Sequence, residues 1–310
     1  MSTSSRPQPR RGASGAWNRL KPGPSDPLDA YTLPSKGETR LHDFKTQESY
    51  HQKIIERYMK FIAASGPDNP LEEAFNSLTL NDTKPSPYTI APDSSTSTTT
   101  RPPWTTRPST TPRPNDLPNI LLAMRKLREG ISASRRTDHF AQRAYIFIIH
   151  ATILCRAWEA YQPALLYLLY NIHPNTPLSA PELQEFAGYR VLDLACRQYE
   201  ITDALCVRLE FKHRDRRVGT VLQSLIQDDW VRFWRAKRAV DGYQRAIMEF
   251  ATERMRVHAL KCLGRSYLSV EKGFVERSGD AEWRELVEKG VGWVLREDGV
   301  VVIRKPKAKT

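Results

Sequence analysis

Apolar residues recur at helical spacing along most of the chain from residue 117 to about residue 267. They return every three or four residues, which places them on one face of an α-helix. We therefore predict successive helices with short connections, so that neighbours are antiparallel and stacked side by side. Gly130 is expected to end the first of these helices, and residues 139–161 are expected to form one long buried helix.

Ser179 and Glu182 predict the start of another helix. The serine can cap the N-terminus, and a glutamate three residues later completes a capping box. Pro181 fits there because an early helical position needs no N–H donor. This helix is expected to form a hairpin with the helix in residues 201–214, an arrangement that solenoids use.

Residues 1–116 alternate between aperiodic and periodic stretches. Residues 1–40 are rich in Ser, Pro, Gly and Arg, which predicts a disordered tail. Residues 41–80 form an amphipathic helical segment, in which residues 50–62 are expected to dock as a helix, either on this chain or on a partner. Residues 81–116 are rich in Ser, Thr and Pro, which predicts a flexible linker open to phosphorylation.

The final stretch WVLREDGVVVIRKP (293–306) interrupts the helical pattern. Its apolar residues flank Asp298-Gly299, a dipeptide that favours a two-residue hairpin turn. An isolated hairpin is marginal in water, so this one is expected to pack on the rest of the protein. Two pairs of residues are expected to face each other across the hairpin and to make both of its faces apolar: Leu295 with Val302, and Val294 with Ile303.

Two short helices are predicted before the hairpin. Ser269 is expected to cap the first and Asp280 the second, which carries Trp283, Leu286 and Val287 on one face. Together with the long helix in residues 241–267, they give three helices followed by a two-stranded wing, which is the order of a winged helix. The predicted fold is therefore mainly α, with a helical-hairpin, solenoid-like array followed by a C-terminal winged helix with a β-hairpin wing.

Composition and motifs argue against catalysis. No HExxH, GxSxG, phosphate-loop or GxGxxG pattern occurs in the expected setting. The four cysteines stand singly, which favours reduced thiols over a zinc site or a disulfide frame. His150 in an apolar helix is expected to be a hydrogen-bonded core residue rather than a ligand. We expect no enzyme, no cofactor, no metal and no small-molecule substrate.

The net charge of +12 leaves the partner open. No window approaches ~18 continuous apolar residues, and the N-terminus lacks the apolar stretch of a signal peptide, so no membrane partner is expected. Two basic clusters are either solvated helix faces or a patch for RNA or an acidic partner. They comprise Lys212, Arg214, Arg216, Arg217, Arg232, Arg235 and Arg238. DNA readout is disfavoured because acidic residues outnumber basic ones in the helix before the wing.

Three stretches carry a resemblance to the PCI-domain family: LSAPELQEFAGYRVLDLACRQ with the helical pair after it, LGRSYLSVEKGFVERSG, and GVGWVLREDGVVVIRKP. The chain looks like the group of small helical subunits of the signalosome, the proteasome lid and initiation factor 3 (its subunit k), and is similar to fungal members of that group. The resemblance covers roughly residues 117–306, with a helical array in 117–240 and a long helix plus winged helix in 241–306. The basic tail 307–310 lies outside it.

The resemblance implies a non-catalytic scaffold or regulatory subunit, cytoplasmic, nuclear or both, whose partners are other PCI-domain or complex subunits. Winged helices of this family associate side by side through β edges, and either Trp293–Arg296 or Val300–Arg304 could supply that edge. The implied interface residues are Trp293, Val294, Leu295, Val300, Val301, Val302 and Ile303. The alternative is an RNA-associated PCI protein that acts in mRNA processing, export or translation through its basic helix faces.

Overall fold

The computed structural model describes residues 27–64 and 116–304 of the 310-residue chain. These residues are mainly helical, with a small three-stranded antiparallel sheet near the C-terminus. None of the helices described is long and apolar enough to cross a membrane. The expectations for residues 1–26, for residues 65–80 of the amphipathic segment, for residues 81–115 of the linker and for the basic tail lie outside the described residues.

The helices and strands follow the predicted order along the chain. The helices are α1 Phe44–Ala64, α2 Asp116–Ala133, α3 His139–Leu154, α4 Trp158–Tyr167, α5 Ala180–Leu192, α6 Ile201–Glu210, α7 Arg216–Ile226, α8 Trp230–Ala239, α9 Gly242–Ser266, α10 Lys272–Gly279 and α11 Trp283–Glu288. The strands are β1 Ser269–Glu271, β2 Val294–Leu295 and β3 Val300–Val302. π-helical turns extend α4 and α5 at Leu168–Ile172 and Asp193–Gln198.

The predicted docking of residues 50–62 as a helix is confirmed, and α1 docks on its own chain. Tyr50, Ile54 and Tyr58 are buried in the same core as α2. The hydroxyl of Tyr50 donates to the carbonyl oxygen of Leu28 at 2.8 Å. Because Leu28 is itself buried, residues 27–40 belong to the folded structure, and the expectation of disorder up to residue 40 is wrong for them.

Gly130 does not end its helix, contrary to expectation. It lies inside α2 and faces the segment before α1. A Cβ at this position would lie 2.8 Å from the carbonyl oxygen of Leu41. Gly130 therefore permits a close approach of two backbone segments, a requirement set by packing rather than by helix termination.

The predicted long helix over 139–161 is interrupted between α3 and α4. Arg156 has a φ of 54°, in the left-handed region, and its N–H bonds to the carbonyl of Ile153 while the N–H of Ala157 bonds to that of Thr152. This pair of hydrogen bonds is a Schellman motif, which usually has glycine at the left-handed position. Because arginine occupies this position instead of glycine, the sequence does not indicate that the helix ends here. The helix that follows, α4, contains Pro163.

The Ser179–Glu182 capping box is confirmed. The N–H of Ser179 donates to the Glu182 carboxylate at 3.1 Å, and its hydroxyl donates to the same group at 2.7 Å. Helix α5 begins at the next residue and packs against α6, as the predicted helical hairpin requires. A local signal that needs no tertiary contact was thus sufficient to locate this helix start.

Two buried clusters share helix α9. The larger cluster draws on α1 to α9 and includes Ile247 and Met255 from α9. The smaller one consists of Leu263, near the end of α9, with Val275, Leu286 and Val301. Because one continuous helix contributes to both clusters, the C-terminal module of α10, α11 and the sheet is built directly onto the helical array.

The sheet has three strands in the order β1–β3–β2, rather than the two of the expected hairpin. Ser269 does not cap a helix but lies in β1, opposite Val302, and Glu271 occupies the N-cap position of α10. Strand β3 is central, so the possibility that Val300–Arg304 supplies a free edge is wrong. Strand β2 is an edge.

The hairpin turn also differs from the predicted two-residue turn. Gly299 has a φ of 79°, whereas Asp298 has no positive φ. The N–H of Arg296 bonds to the carbonyl of Val300 at 2.9 Å, which leaves a three-residue loop. A two-residue type I′ turn needs positive φ at both central positions, so the chain takes the three-residue form with glycine left-handed.

The longer loop shifts the strand register by one residue. Leu295 faces Val301 and Val294 faces Val302, in place of the predicted pairs of Leu295 with Val302 and Val294 with Ile303. Since side chains alternate between the two faces of a strand, a one-residue shift decides which valines of β3 are buried.

The helix before the hairpin begins later than predicted. Asp280 does not cap α11 but is left-handed, with a φ of 47°, at the end of α10. Glu282 precedes the first turn of α11. On that helix Leu286 is fully buried and Trp283 packs partly on the small cluster, whereas Val287 is exposed.

Candidate functional site

The last turn of α10 is held by two side chains from the helical array. The indole N–H of Trp234 donates to the carbonyl oxygen of Ser278 at 2.9 Å. The guanidinium of Arg256 donates to the carbonyls of Gly279 and Asp280 at 2.7 and 3.2 Å. The last carbonyls of a helix have no intrahelical partner and carry partial negative charge, so these donors satisfy and stabilise that end.

Arg256 is buried and paired as well as hydrogen-bonded. Its guanidinium lies 2.9 Å from the Glu253 carboxylate and 3.6 Å from that of Glu285. Lys289 also bonds to Glu285 at 2.6 Å, and this hydrogen bond is the main cause that lowers the pKa of the Glu285 carboxyl. Glu253 and Glu285 are thus engaged with neighbouring cations that orient the module.

The two faces of the sheet have different environments. On the inner face Val301 is fully buried, and Trp293 and Ile303 are half-buried against the small cluster. Val301 therefore supports the sheet from within and presents no surface to a partner, unlike the implied interface role. Leu295, opposite Val301, is exposed at the margin.

Three valines lie on the outer face of β2 and β3. Val294 is 61% exposed, and Val300 and Val302 are half-buried. Val294 and Val302 are directly opposite each other, so their side chains form one apolar stripe across two strands. Of the implied wing residues, the structure therefore leaves the valines of the outer face and Leu295 available at the surface.

The outer side of β2 is not covered by another strand among the described residues. Arg296 and Val300 form a hydrogen-bonded pair, and opposed pairs in an antiparallel ladder alternate. Leu295 with Val301 is therefore a non-hydrogen-bonded pair, and the backbone N–H and C=O of Leu295 point away from β3. An added strand would bond to these groups.

An apolar groove runs beside this edge, between α9 and the segment that leads into β2. Its volume is about 360 Å³, and Val257, Leu260, Val291 and Trp293 provide much of its apolar lining. Charged residues of both signs, among them Glu253, Lys261 and Lys289, stand around it. The sequence predicted a long helix here, but it did not indicate that this helix borders a groove.

The structure divides the predicted basic residues into two groups. Arg232 lies 3.6 Å from the Asp229 carboxylate, and Arg238 lies 3.0 Å from that of Asp280. The remaining members are exposed and form no ion pair within 4.0 Å in the part of the chain that is described. They are Lys212, Arg214, Arg216, Arg217 and Arg235.

Helices α7 and α8 bring the exposed basic residues towards one end of the array. The two helices pack against each other and are joined by a short turn, so the start of α7 lies near the end of α8. Phe233 and Trp234 form the buried face of α8, and Trp230 is half-buried. Arg235 projects away from that face.

Chemistry-bearing side chains do not assemble into a recognisable catalytic group in the described residues. His150 lies 2.8 Å from the Glu185 carboxylate, which also accepts from the Tyr189 hydroxyl at 2.7 Å. Burial raises the pKa of the Cys155 thiol to about 11 and that of Cys196 to about 12, which suppresses the nucleophilic thiolate. No group of three or more metal-ligating side chains occurs between residues 27 and 64 or 116 and 304.

Sequence reasoning missed the residues that hold the C-terminal module in place. The hydrogen bond from Trp234 to a carbonyl 44 residues later has no local signal in the sequence. Arg256 interrupts the apolar positions of α9, and a buried arginine inside a helix is the one indication that a charged partner must lie nearby.

Comparison with known proteins identified no relative of this chain among family models or curated proteins.

Proposed function

We propose that the protein is a non-catalytic scaffold or regulatory subunit of a multiprotein complex of the signalosome, proteasome-lid or initiation-factor-3 type. It would act in the cytoplasm, the nucleus or both, and assemble through its C-terminal module. The observation that carries the proposal is the exposed edge of β2, with the valine stripe on one side and the apolar groove on the other.

The finer proposal is that this module is the winged helix of a PCI domain. It is supported by the order α9, β1, α10, α11, β2, β3, in which a hairpin follows two short helices and a third strand completes the sheet. In such a subunit the edge strand would pair with the matching strand of a neighbouring subunit, and main-chain hydrogen bonds would supply affinity.

The test is affinity purification of the full chain from cells that produce it naturally, followed by quantitative mass spectrometry. Leu295→Pro removes the outward N–H without removing a hydrogen bond of the existing hairpin, and proline is tolerated at sheet edges. We expect stoichiometric complex subunits with the parent chain and with the matched control Leu295→Val, and their loss with Leu295→Pro. Recovery of the monomer alone from the parent chain would contradict the proposal.

A second variant guards against simple unfolding of the module. Val294→Lys places a charge on the exposed outer face, where the side chain contacts solvent in the free protein. Its thermal unfolding should match that of the parent, while partner recovery falls because a partner would have to desolvate the ammonium group. Unchanged recovery with both Leu295→Pro and Val294→Lys would place the interface elsewhere.

The alternative function is RNA association through the basic residues at the α6–α7 loop and the α7–α8 hairpin. It is favoured by one observation, that five of the seven predicted residues have no ion-pair partner in the described chain. Reversing Arg216, Arg217 and Arg235 to Glu should weaken RNA binding and make its salt dependence shallower. Arg216→Glu alone and Arg284→Glu, on α11, form a charge-matched pair, and only the first should weaken RNA binding. An unchanged affinity and salt slope would exclude this alternative.

A further inference from the structure

A second cavity lies between α2 and the start of α4 and shares no lining residue with the groove beside β2. Its volume is about 790 Å³. Three arginines line it, Arg125 and Arg128 from α2 and Arg156 from the left-handed turn after α3. Its apolar wall includes Leu121, Leu122 and Trp158.

The arginines of this cavity are short of acceptors. Arg125 bonds to the Glu129 carboxylate at 2.9 Å. By contrast, Arg128 and Arg156 have no ion pair or side-chain hydrogen bond in the described part of the chain, and the Nε atom of Arg128 is buried without a partner. Burial lowers the pKa of the Arg128 guanidinium. A buried donor without an acceptor is unfavourable. The cavity therefore favours an anionic ligand, which would supply the acceptor that the described residues do not provide.

The start of α4 adds further donors at the same place. Its N-cap residue is Ala157, which has no side chain able to accept from the first turn. The N–H groups of Trp158 and Glu159 have no backbone acceptor among the described residues. Glu159 is the acidic residue of the lining and is exposed, so three guanidinium groups face one carboxylate.

We propose that this cavity binds a small phosphate monoester whose organic part is aromatic or apolar. Guanidinium groups bind phosphate oxygens with two parallel hydrogen bonds. This geometry gives arginine a specificity for phosphate that the ammonium group of lysine, a simple point charge, lacks. The indole of Trp158 and the side chain of Leu122 give the organic part an apolar contact. The volume of the cavity falls within the range of small-ligand sites. The proposal does not depend on the scaffold function.

Isothermal titration calorimetry of the full chain tests the ligand class with three probes: phenyl phosphate, inorganic phosphate and a phosphoserine peptide. We expect one molecule of phenyl phosphate per chain, bound at least about fivefold more tightly than inorganic phosphate because only the ester reaches the apolar wall. No saturable binding of phenyl phosphate at millimolar concentration would overturn the proposal. Tighter binding of the peptide than of phenyl phosphate would overturn the small-molecule assignment.

Arginine variants test the location of the site. Arg156→Gln and Arg128→Gln should each weaken phenyl phosphate binding about tenfold, the loss expected for one charge-assisted contact. Arg135→Gln is the matched control, since Arg135 is also exposed, left-handed and in the turn after a helix. Thermal unfolding of each variant checks that the fold is retained. Equal weakening by Arg135→Gln, or no weakening by Arg156→Gln, would overturn the proposed site.

Discussion

The indole Nε1 of Trp234 lies 2.9 Å from the carbonyl oxygen of Ser278, and this bond connects the helical array to the C-terminal module. Both residues are buried, so water does not replace the bond when it is lost. Together with the Arg256 guanidinium on the next two carbonyls, it fixes the end of α10 relative to α8 and α9. The position of the sheet edge therefore depends on contacts made by the array.

Trp234→Phe should destabilise the protein by about 1–3 kcal/mol. The substitution leaves the Ser278 carbonyl buried without its donor, and that desolvation cost is larger than the net value of the bond itself. Urea unfolding measures the change. Trp230→Phe is the control, because Trp230 is half-buried and its indole N–H makes no hydrogen bond in the described residues. Equal losses in the two variants would assign the effect to packing instead.

Alanine at two helical glycines should have opposite effects. At Gly130 the new Cβ would lie 2.8 Å from the Leu41 carbonyl oxygen, which forces a backbone to shift, and we expect a loss of about 1–3 kcal/mol. At Gly264 the new Cβ would lie 3.5 Å from the Trp293 ring, an ordinary contact. Gly264→Ala should therefore stabilise by about 0.5 kcal/mol through helix propensity. Thermal unfolding compares them, and stabilisation by Gly130→Ala would contradict the close approach.

His51 should make stability fall as the pH drops from about 6.5 towards 4. Burial lowers the pKa of this histidine to about 4, and its ring lies between Phe140 and Phe147. The unfolded chain binds the proton first, at the ordinary pKa near 6.5, so acid favours unfolding across this window. The full effect is on the order of 3 kcal/mol.

His51→Phe removes that titration while keeping an aromatic ring at the site. Denaturant unfolding at pH 7 and pH 4.5 measures the difference between the variant and the parent. The loss of stability on acidification should be smaller in His51→Phe than in the parent. His42→Phe is the control, since His42 is exposed. If the parent and His51→Phe lose stability equally, His51 does not remain neutral in the folded state.

Arg135→Gly should stabilise the protein by about 0.5–1 kcal/mol. Arg135 has a φ of 50° at the end of α2, and its β-carbon is strained in the left-handed region. Glycine relieves that strain, although its freer unfolded state offsets part of the gain. Arg135→Ala keeps the β-carbon and should show no such gain. Thermal unfolding of the two variants gives the comparison, and equal stabilities would exclude strain as the cause.

The helical array was largely readable from the sequence because its signals are local. Apolar spacing predicted α5 to α9, and the Ser179–Glu182 capping box located the start of α5. Helix ends were harder to predict. Arg156 occupies a left-handed position that glycine usually fills, so no local sequence signal predicted the break between α3 and α4.

The sequence by itself determined a mainly helical protein with apolar β-forming residues at its end. Only the tertiary structure decided that β3 is central and β2 is an edge, because β1 pairs with β3 from a distant position, as in Val270 opposite Val301. It also decided that Gly130 serves a close contact, and that Trp234 and Arg256 hold the end of α10. Hydrophobic periodicity acts within one element, whereas strand order, buried hydrogen bonds and cavities depend on residues that meet only after the chain has folded.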